Sequence, residues 1–215
     1  DSTTLLNYEI EKWNTNGESF VWVQVPELSN NGSIWAYWGR TGAVQPEYAT
    51  NGAAWSEGHV GVWHLSESKN DSSSYENHGS GGDNTDAAGM IGRGRNFDGT
   101  GDDITVPDAT ELRFDSQLTL SAWAKVRSWV GWSAIISKTG DNDYEIELHE
   151  GDRYQFDCEE MGDGNCSAGG HNDGEWHYIV ATYNDGSTVA NIYSDGVWKD
   201  SHTQNLSLGY NNDPV

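Results

Sequence analysis

Residues 175–183, with the sequence EWHYIVATY, decide the fold together with residues 189–196, which read VANIYSDG. Aromatic and β-branched residues dominate the first run, and their alternation is typical of a strand that buries at least one face. The NDGS sequence between the two runs predicts a turn, because Asp-Gly tolerates the positive φ that a tight connection requires. The two runs therefore predict an antiparallel hairpin. Such a hairpin needs a second sheet to cover it, as in a β-sandwich.

The same hairpin resembles the signature of laminin G-like domains in the concanavalin A-like lectin/glucanase superfamily. The likeness rests on the sequence WHYIVATY at residues 176–183 and the YSDG turn at residues 193–196. It continues through IGRGRNFDGTGDDITVP at residues 91–107 and through the alternating run at residues 118–126. The resemblance implies an all-β, concanavalin A-like jelly-roll β-sandwich over residues 59–215.

Residues 1–58 predict a smaller β domain and a connector. Alternating runs at residues 5–13, 19–26 and 33–39 predict a three-stranded meander. These runs resemble the C-terminal part of a bacterial surface-protein domain of unknown function that often precedes laminin G-like modules. We therefore expect a partial N-terminal β domain here. The resemblance also leads us to expect that the last strands of the sandwich come from outside this sequence.

The charge balance excludes several partners. The chain carries 34 Asp and Glu residues against 11 Lys and Arg residues, a net charge of −23. Such a chain repels phosphate backbones and anionic membrane surfaces, so we expect no nucleic acid partner. No run of eighteen apolar residues occurs, so we expect no membrane insertion.

The two cysteines, Cys158 and Cys166, flank an acidic loop that contains glycine. No paired Cys or His motif accompanies them, so a zinc site is not expected. The pattern favours a local disulfide in an exported protein over two free thiols. A ring of this size would stabilise the fold by roughly 2–3 kcal/mol.

Calcium is the cofactor that the laminin G-like resemblance implies. The candidate ligands are Asp71 and Asn77 in a long loop, and Asp98 and Asp102 in the turn after Phe97. Asp and Asn side chains offer the hard oxygen ligands that calcium prefers, although the EF-hand spacing is absent. The alternative is that these side chains cap loop backbones as Asx-turns.

Aromatic side chains are the candidate ligand-binding groups. The chain has eleven Trp and ten Tyr residues, which suit both a sandwich core and a surface that stacks on sugars. Strand alternation leaves four tryptophans least clearly buried: Trp55, Trp129, Trp132 and Trp198. Each of them has a structural role as its alternative.

A catalytic role is not expected. Residues 145–150, EIELHE, imitate the Glu-x-Asp-x-x-Glu strand motif of family-16 glycoside hydrolases. Retaining hydrolysis needs two carboxyl groups about 5–5.5 Å apart on one face of a cleft. Here the middle acid is Glu147, and Gly151 places Glu150 in a turn. The alternative is the polar face of an ordinary strand.

Together these observations predict a non-catalytic recognition or adhesion module of an exported, extracellular bacterial surface protein. Its expected partner is a glycan or a surface protein, with calcium in a structural role. The first alternative is a structural subunit that associates with itself or accepts a strand from a neighbouring chain. The second alternative is a family-16-like glycoside hydrolase.

Overall fold

The computed structural model describes residues 4–27, 29–30, 32–55, 58–114, 116–128, 131, 133–138, 144–150, 152–157, 165–203 and 212–215. The chain divides into two compact units. The first comprises Asp1–Asp98 and Asp102–Ile104, and the second comprises Gly99–Gly101 and Thr105–Val215. Within the described ranges, regular structure consists of twelve β-strands and two short 3₁₀ segments, which confirms the all-β class. The domain division predicted after residue 58 stays a prediction.

The first unit contains two short antiparallel pairs. Strand β1 (Tyr8–Lys12) pairs with β2 (Phe20–Val23), and β3 (Thr85–Ala88) pairs with β4 (Arg93–Asn96). The prediction of a third strand at residues 33–39 is wrong, because this segment has no regular structure and pairs with no strand among the described residues. Its alternating side chains have no sheet face to cover, and Trp35 is 71% exposed. The 3₁₀ segment Glu47–Ala49 follows.

The second unit contains two four-stranded antiparallel sheets. The hairpin sheet has the order β12-β11-β10-β5 and comprises β5 (Gln117–Lys125), β10 (Trp176–Asn184), β11 (Val189–Ser194) and β12 (Val197–Thr203). The acidic sheet has the order β6-β7-β8-β9 and comprises β6 (Ser133–Lys138), β7 (Tyr144–His149), β8 (Arg153–Asp157) and β9 (Cys166–Gly169). The 3₁₀ segment Thr110–Leu112 precedes them. The predicted hairpin of β10 and β11 is confirmed, with Ala181 opposite Ile192.

The core of the second unit is built by alternate residues of both sheets. Ile179 and Ile192 of the hairpin sheet and Ile146, Tyr154 and Phe156 of the acidic sheet are fully buried in one cluster. Full burial of each such side chain stabilises the fold by about 1.5–3 kcal/mol. The alternating pattern predicted for β10 is therefore correct, because Ile179, Ala181 and Tyr183 are buried while Tyr178, Val180 and Thr182 lie on the opposite face.

The two turns of the hairpin sheet differ in where they place positive φ. Asp195 and Gly196 both have positive φ (54° and 75°), as a two-residue Asp-Gly connection requires. The turn predicted at residues 184–187 is confirmed, because Ser187 N donates to Asn184 O at 3.2 Å. There the positive φ falls on Thr188 (54°) instead of Gly186.

The predicted Cys158–Cys166 disulfide is not supported. Cys166 is a free, fully buried cysteine on the core side of β9, and Cys158 lies outside the described residues. Burial raises the pKa of the Cys166 thiol to about 11, so the thiol behaves as a small core residue.

Two further features bear on the sequence predictions. Val106 and Val215 exchange backbone hydrogen bonds of 2.5 and 2.9 Å, so the last described residues return to the second unit. Whether further strands come from outside stays a prediction. In the part of the chain that the structure describes, no helix has the length and apolar character needed to cross a membrane.

Candidate functional site

An aromatic row crosses the outer face of the hairpin sheet. It consists of Trp123, Tyr178, Tyr193 and Trp198, one on each of β5, β10, β11 and β12. Tyr178 lies directly opposite Trp123, and Tyr193 lies directly opposite Trp198. Tyr193 lies opposite Val180, two residues along β10 from Tyr178, so the two aromatic pairs are diagonal neighbours and not one straight line across the sheet. Its two ends are exposed, with Trp123 at 39% and Trp198 at 54%.

The side chains of the aromatic row are held by local contacts. The rings of Trp123 and Tyr178 lie 5.2 Å apart in a tilted arrangement. The Trp198 indole Nε1 donates to Asn191 Oδ1 at 3.3 Å. These contacts orient the outer rings before any ligand arrives, which lowers the entropy cost of binding.

A polar row runs on the same face, beside the Tyr193 and Trp198 end of the aromatic row. It consists of Thr119, Thr182, Asn191 and Ser201, which are paired in register across the same four strands. Hydroxyl and amide groups next to exposed rings provide hydrogen bonds that fix the orientation of a stacked ligand. The face therefore has the two components of a sugar-binding surface.

The acidic sheet carries an acidic trio of Glu145, Glu147 and Asp157. Their carboxylate oxygens all lie within 4.8 Å of one another. Register explains the cluster, because Glu145 lies opposite Asp157 on the neighbouring strand. Among the described residues, this is the one group of three or more acidic, His or Cys side chains that are so close.

Glu147 is the buried member of the acidic trio, with 3% of its surface exposed. Burial, and then the charges of Glu145 and Asp157, raise its pKa to about 7. Its Oε1 accepts a hydrogen bond from Gln155 Nε2 at 3.3 Å.

The two outer acids are held by neighbouring polar groups. Ser137 Oγ donates to Glu145 Oε2 at 3.0 Å, and Asn165 Nδ2 donates to Asp157 Oδ2 at 3.3 Å. Hard oxygen donors at this spacing suit a divalent cation.

The predicted calcium ligands Asp71 and Asn77 do lie together, and both are buried. The Asp71 carboxylate accepts four hydrogen bonds, from Val62 N (2.7 Å), Ser73 N (2.8 Å), Ser73 Oγ (2.6 Å) and Asn77 N (2.9 Å). With both oxygens accepting donors of its own loop, Asp71 fits the Asx-turn alternative better than a cation site. A metal role for these two residues stays a prediction.

The predicted ligands Asp98 and Asp102 are also neighbours. Asp102 Oδ2 accepts the backbone N–H of Asp98 at 2.6 Å, which closes the turn after Phe97. The structure does not bring a third acidic, His or Cys side chain among the described residues to this pair. Their role as metal ligands stays a prediction.

The predicted binding tryptophans have different surroundings. Trp198 belongs to the exposed aromatic row. Trp55 is engaged within the first unit, where its Nε1 donates to Glu9 Oε2 at 2.7 Å and its ring packs 5.5 Å from that of Trp22. Trp129 and Trp132 lie outside the described residues.

Sequence reasoning missed Trp123, Tyr178 and Tyr193 as members of the row, and Asp157 as a member of the acidic trio. Both groups arise from pairing across strands. The alternation within β5 and β10 placed Trp123 and Tyr178 on outward positions. Trp123 and Tyr178 could have been recognised as neighbours only if the register between β5 and β10 had been proposed.

Comparisons with known proteins give a family match and likenesses to solved structures. A laminin G family model, described as the concanavalin A-like lectin/glucanases superfamily, matches residues 98–215. The solved structure of the mouse laminin alpha1 chain, domains LG4-5, has 18% sequence identity and a TM-score of 0.38. That match covers 51% of this chain and 30% of the laminin chain, so the chain spans less than a third of that structure's length. No curated protein matches the chain.

Proposed function

The chain belongs to the concanavalin A-like lectin/glucanases superfamily, and we propose that it is a non-catalytic recognition module that binds a glycan on the aromatic row. Membership of the laminin G family supports a binding or adhesion module in general. The observation that carries the glycan assignment is the row itself, with Trp123 and Trp198 exposed at its ends. Exposed aromatic side chains beside ordered polar groups mark interaction surfaces.

The charge of the chain narrows the glycan class. A net charge of −23 repels sulfated and uronic acid sugars at long range. The polar row offers neutral hydroxyl and amide groups, which match the hydroxyl groups of neutral sugars. The proposed ligand is therefore a neutral glycan chain. A protein partner with a flat apolar surface is the alternative occupant.

The setting of the module is an exported protein at a bacterial cell surface. Laminin G-like domains are typically extracellular, and the N-terminal runs at residues 5–13 and 19–26 resemble a bacterial surface-protein domain. Adhesion follows from this setting, because a module that holds a neutral glycan attaches its parent protein to a coated surface.

Calcium has a structural role in this proposal. The acidic trio offers an all-oxygen donor set with three carboxylates within 4.8 Å. A divalent cation there would offset the mutual repulsion of three carboxylates, one of which is buried. Asp98 and Asp102 remain the second candidate set. Thermal melting of Glu147→Gln and of Asp98→Ala at increasing calcium concentrations distinguishes the two candidate sites. The variant whose melting temperature no longer rises with calcium identifies the site.

One observation favours hydrolysis as a second function. Glu147 has a pKa of about 7 beside the carboxylate of Glu145, as an acid and nucleophile pair requires. Against it, Glu147 is 3% exposed, so a sugar ring cannot reach the carboxyl group in this conformation. We therefore expect no reducing ends after incubation with β-glucans, agars or carrageenans. Release that disappears in Glu145→Gln would establish the hydrolase instead.

A glycan array tests the binding proposal. The full chain is applied beside the double variant Trp123→Ala/Trp198→Ala and the control Trp35→Ala, which removes an even more exposed tryptophan from the first unit. Neutral glycans should bind the parent and the control but not the double variant. Identical binding by all three proteins would contradict the assignment to the aromatic row.

A further inference from the structure

A pair of buried polar side chains in the second unit lacks hydrogen-bond partners. His171 is 6% exposed, and neither of its ring nitrogens meets a hydrogen-bond partner among the described residues. Tyr154 is fully buried, and within the described ranges its hydroxyl also has no hydrogen-bond partner. The two rings lie 5.2 Å apart. An unsatisfied buried polar group costs about 1–3 kcal/mol, so this contact is a weak point in an otherwise well-packed core.

His171 lies on the loop at residues 170–175, which joins β9 to β10. Gly170 N donates to Asp152 O at 2.8 Å, and Gly174 N donates to Val126 O at 3.0 Å. Both glycines have positive φ, 84° and 79°, and each has open space around its missing Cβ. The loop is therefore anchored at both ends and has a glycine at each anchor, where backbone rotation costs least.

A second histidine lies directly against His171. The rings of His171 and His177 are 4.2 Å apart. His177 Nδ1 contacts Asp195 Oδ2 at 2.8 Å, and His177 Nε2 lies 3.2 Å from both oxygens of Asp173. His177 is thus the member of the pair that is built to carry the positive charge.

We propose that His171 is a proton-operated latch, which holds the 170–175 loop closed as a neutral imidazole and releases it when protonated. In the closed state the neutral ring packs against the rings of Tyr154 and His177. A proton on His171 creates a buried cation with no carboxylate within ion-pairing distance among the described residues. The nearest ring is that of His177, which is itself paired with two carboxylates and is built to carry a positive charge. The positive charges of the two histidines therefore repel each other.

The charges around the latch agree with this assignment. Burial, and then the charge of His177, lower the pKa of His171, while Lys199 acts in the same direction. The carboxylates of Asp195 and Asp173 act in the opposite direction but do not outweigh burial. Burial also lowers the pKa of His177, but its hydrogen bonds with these two carboxylates outweigh burial and raise it overall.

Tyr154, Asp173 and Asp195, which face the two histidines, each stay in one charge state over this pH range. Burial, followed by the charges of Asp173, Asp152 and Asp195, raises the pKa of Tyr154 above its ordinary value, so its hydroxyl remains neutral. The pKa values of Asp173 and Asp195 are lowered, so both carboxylates remain ionised while the histidines titrate.

The sign of the pH dependence follows from these directions. Because the pKa of His171 in the closed loop lies below its ordinary value of 6.5, the open loop binds the proton more tightly. Closure therefore weakens as the pH falls below about 6.5. His177 has the opposite sign, and its favourable contribution is complete below its ordinary pKa and lost as the pH rises through its raised value. Because the two histidines have opposite effects, opening of the loop at acid pH reports the protonation of His171 and not that of His177.

Amide hydrogen exchange of the full chain between about pH 7.5 and about pH 5 tests the latch. After correction for intrinsic exchange, opening of the 170–175 loop should rise up to about tenfold per pH unit, since one proton is taken up. His171→Phe keeps a ring in the same space and should abolish the rise. His202→Gln, which removes another histidine of the same unit, should retain it.

Two results would overturn the latch. One is exchange in the loop that does not depend on pH, and the other is a rise that persists in His171→Phe. If His171→Phe fails to fold, a nuclear magnetic resonance titration of the His171 ring in the parent protein decides the matter. Titration at or above 6.5 would contradict the proposal, and titration below 6.5 together with loop opening would support it.

Discussion

Glu147→Gln should stabilise the second unit at alkaline pH and leave it unchanged in acid. The folded state raises the pKa of Glu147 from 4.5 to about 7, so it binds a proton that the unfolded chain has released. Stability is therefore lost as the pH rises from about 4.5 through about 7. A shift of this size, at about 1.36 kcal/mol per pKa unit, corresponds to a cost of up to about 3 kcal/mol above pH 7. Glutamine has the shape of the protonated acid and avoids this cost.

Thermal unfolding in the presence of a chelator, at about pH 8 and about pH 4.5, measures the effect. A gain of about 3 kcal/mol raises the melting temperature of a domain of this size by about 10 °C. The gain should vanish at the lower pH, where both proteins are neutral at this position. Glu175→Gln is the matched control, because Glu175 is exposed in the same unit and should change nothing. Equal melting temperatures for Glu147→Gln and the parent at pH 8 would refute the reasoning.

Two further predictions concern other parts of the chain. Asp71→Ala should destabilise the first unit by about 3–5 kcal/mol with or without calcium, because four hydrogen bonds to one carboxylate are lost. Urea unfolding measures this change, and a loss of stability seen only in the presence of calcium would restore the metal assignment. Cys166 should resist a thiol reagent in the folded protein and react on unfolding, because burial raises the pKa of its thiol to about 11. Rapid labelling of Cys166 in the native chain would contradict its buried position.

The sequence predicted those parts of the fold that depend on local periodicity. Alternation in β10 separates the buried Ile179 and Ala181 from the outward Tyr178, and the structure confirms this separation. The segment at residues 33–39 alternates equally well but joins no sheet within the described part of the chain, because alternation does not identify a pairing partner.

The candidate sites were harder to predict because they depend on register between strands. Glu145 and Asp157 are twelve positions apart, and they meet only because β7 and β8 pair in one register. Trp123 and Tyr178 are separated by a much longer stretch of chain and meet through the β5–β10 pairing. Trp198 could be proposed from its position alone, but the row that gives it a function could not.

The central claim is that the aromatic row binds a neutral glycan, and the affinity of Trp198→Ala tests it most directly. A tryptophan presents up to about 250 Å², and Trp198 is 54% exposed. If a sugar ring covers about half of that exposed area, roughly 70 Å² is buried, worth about 1.7 kcal/mol at about 25 cal/mol per Å².

Titration calorimetry with a neutral glycan identified on the array gives this value. We predict that Trp198→Ala weakens binding about 20-fold, while Trp35→Ala binds like the parent. An unchanged dissociation constant for Trp198→Ala would contradict the account.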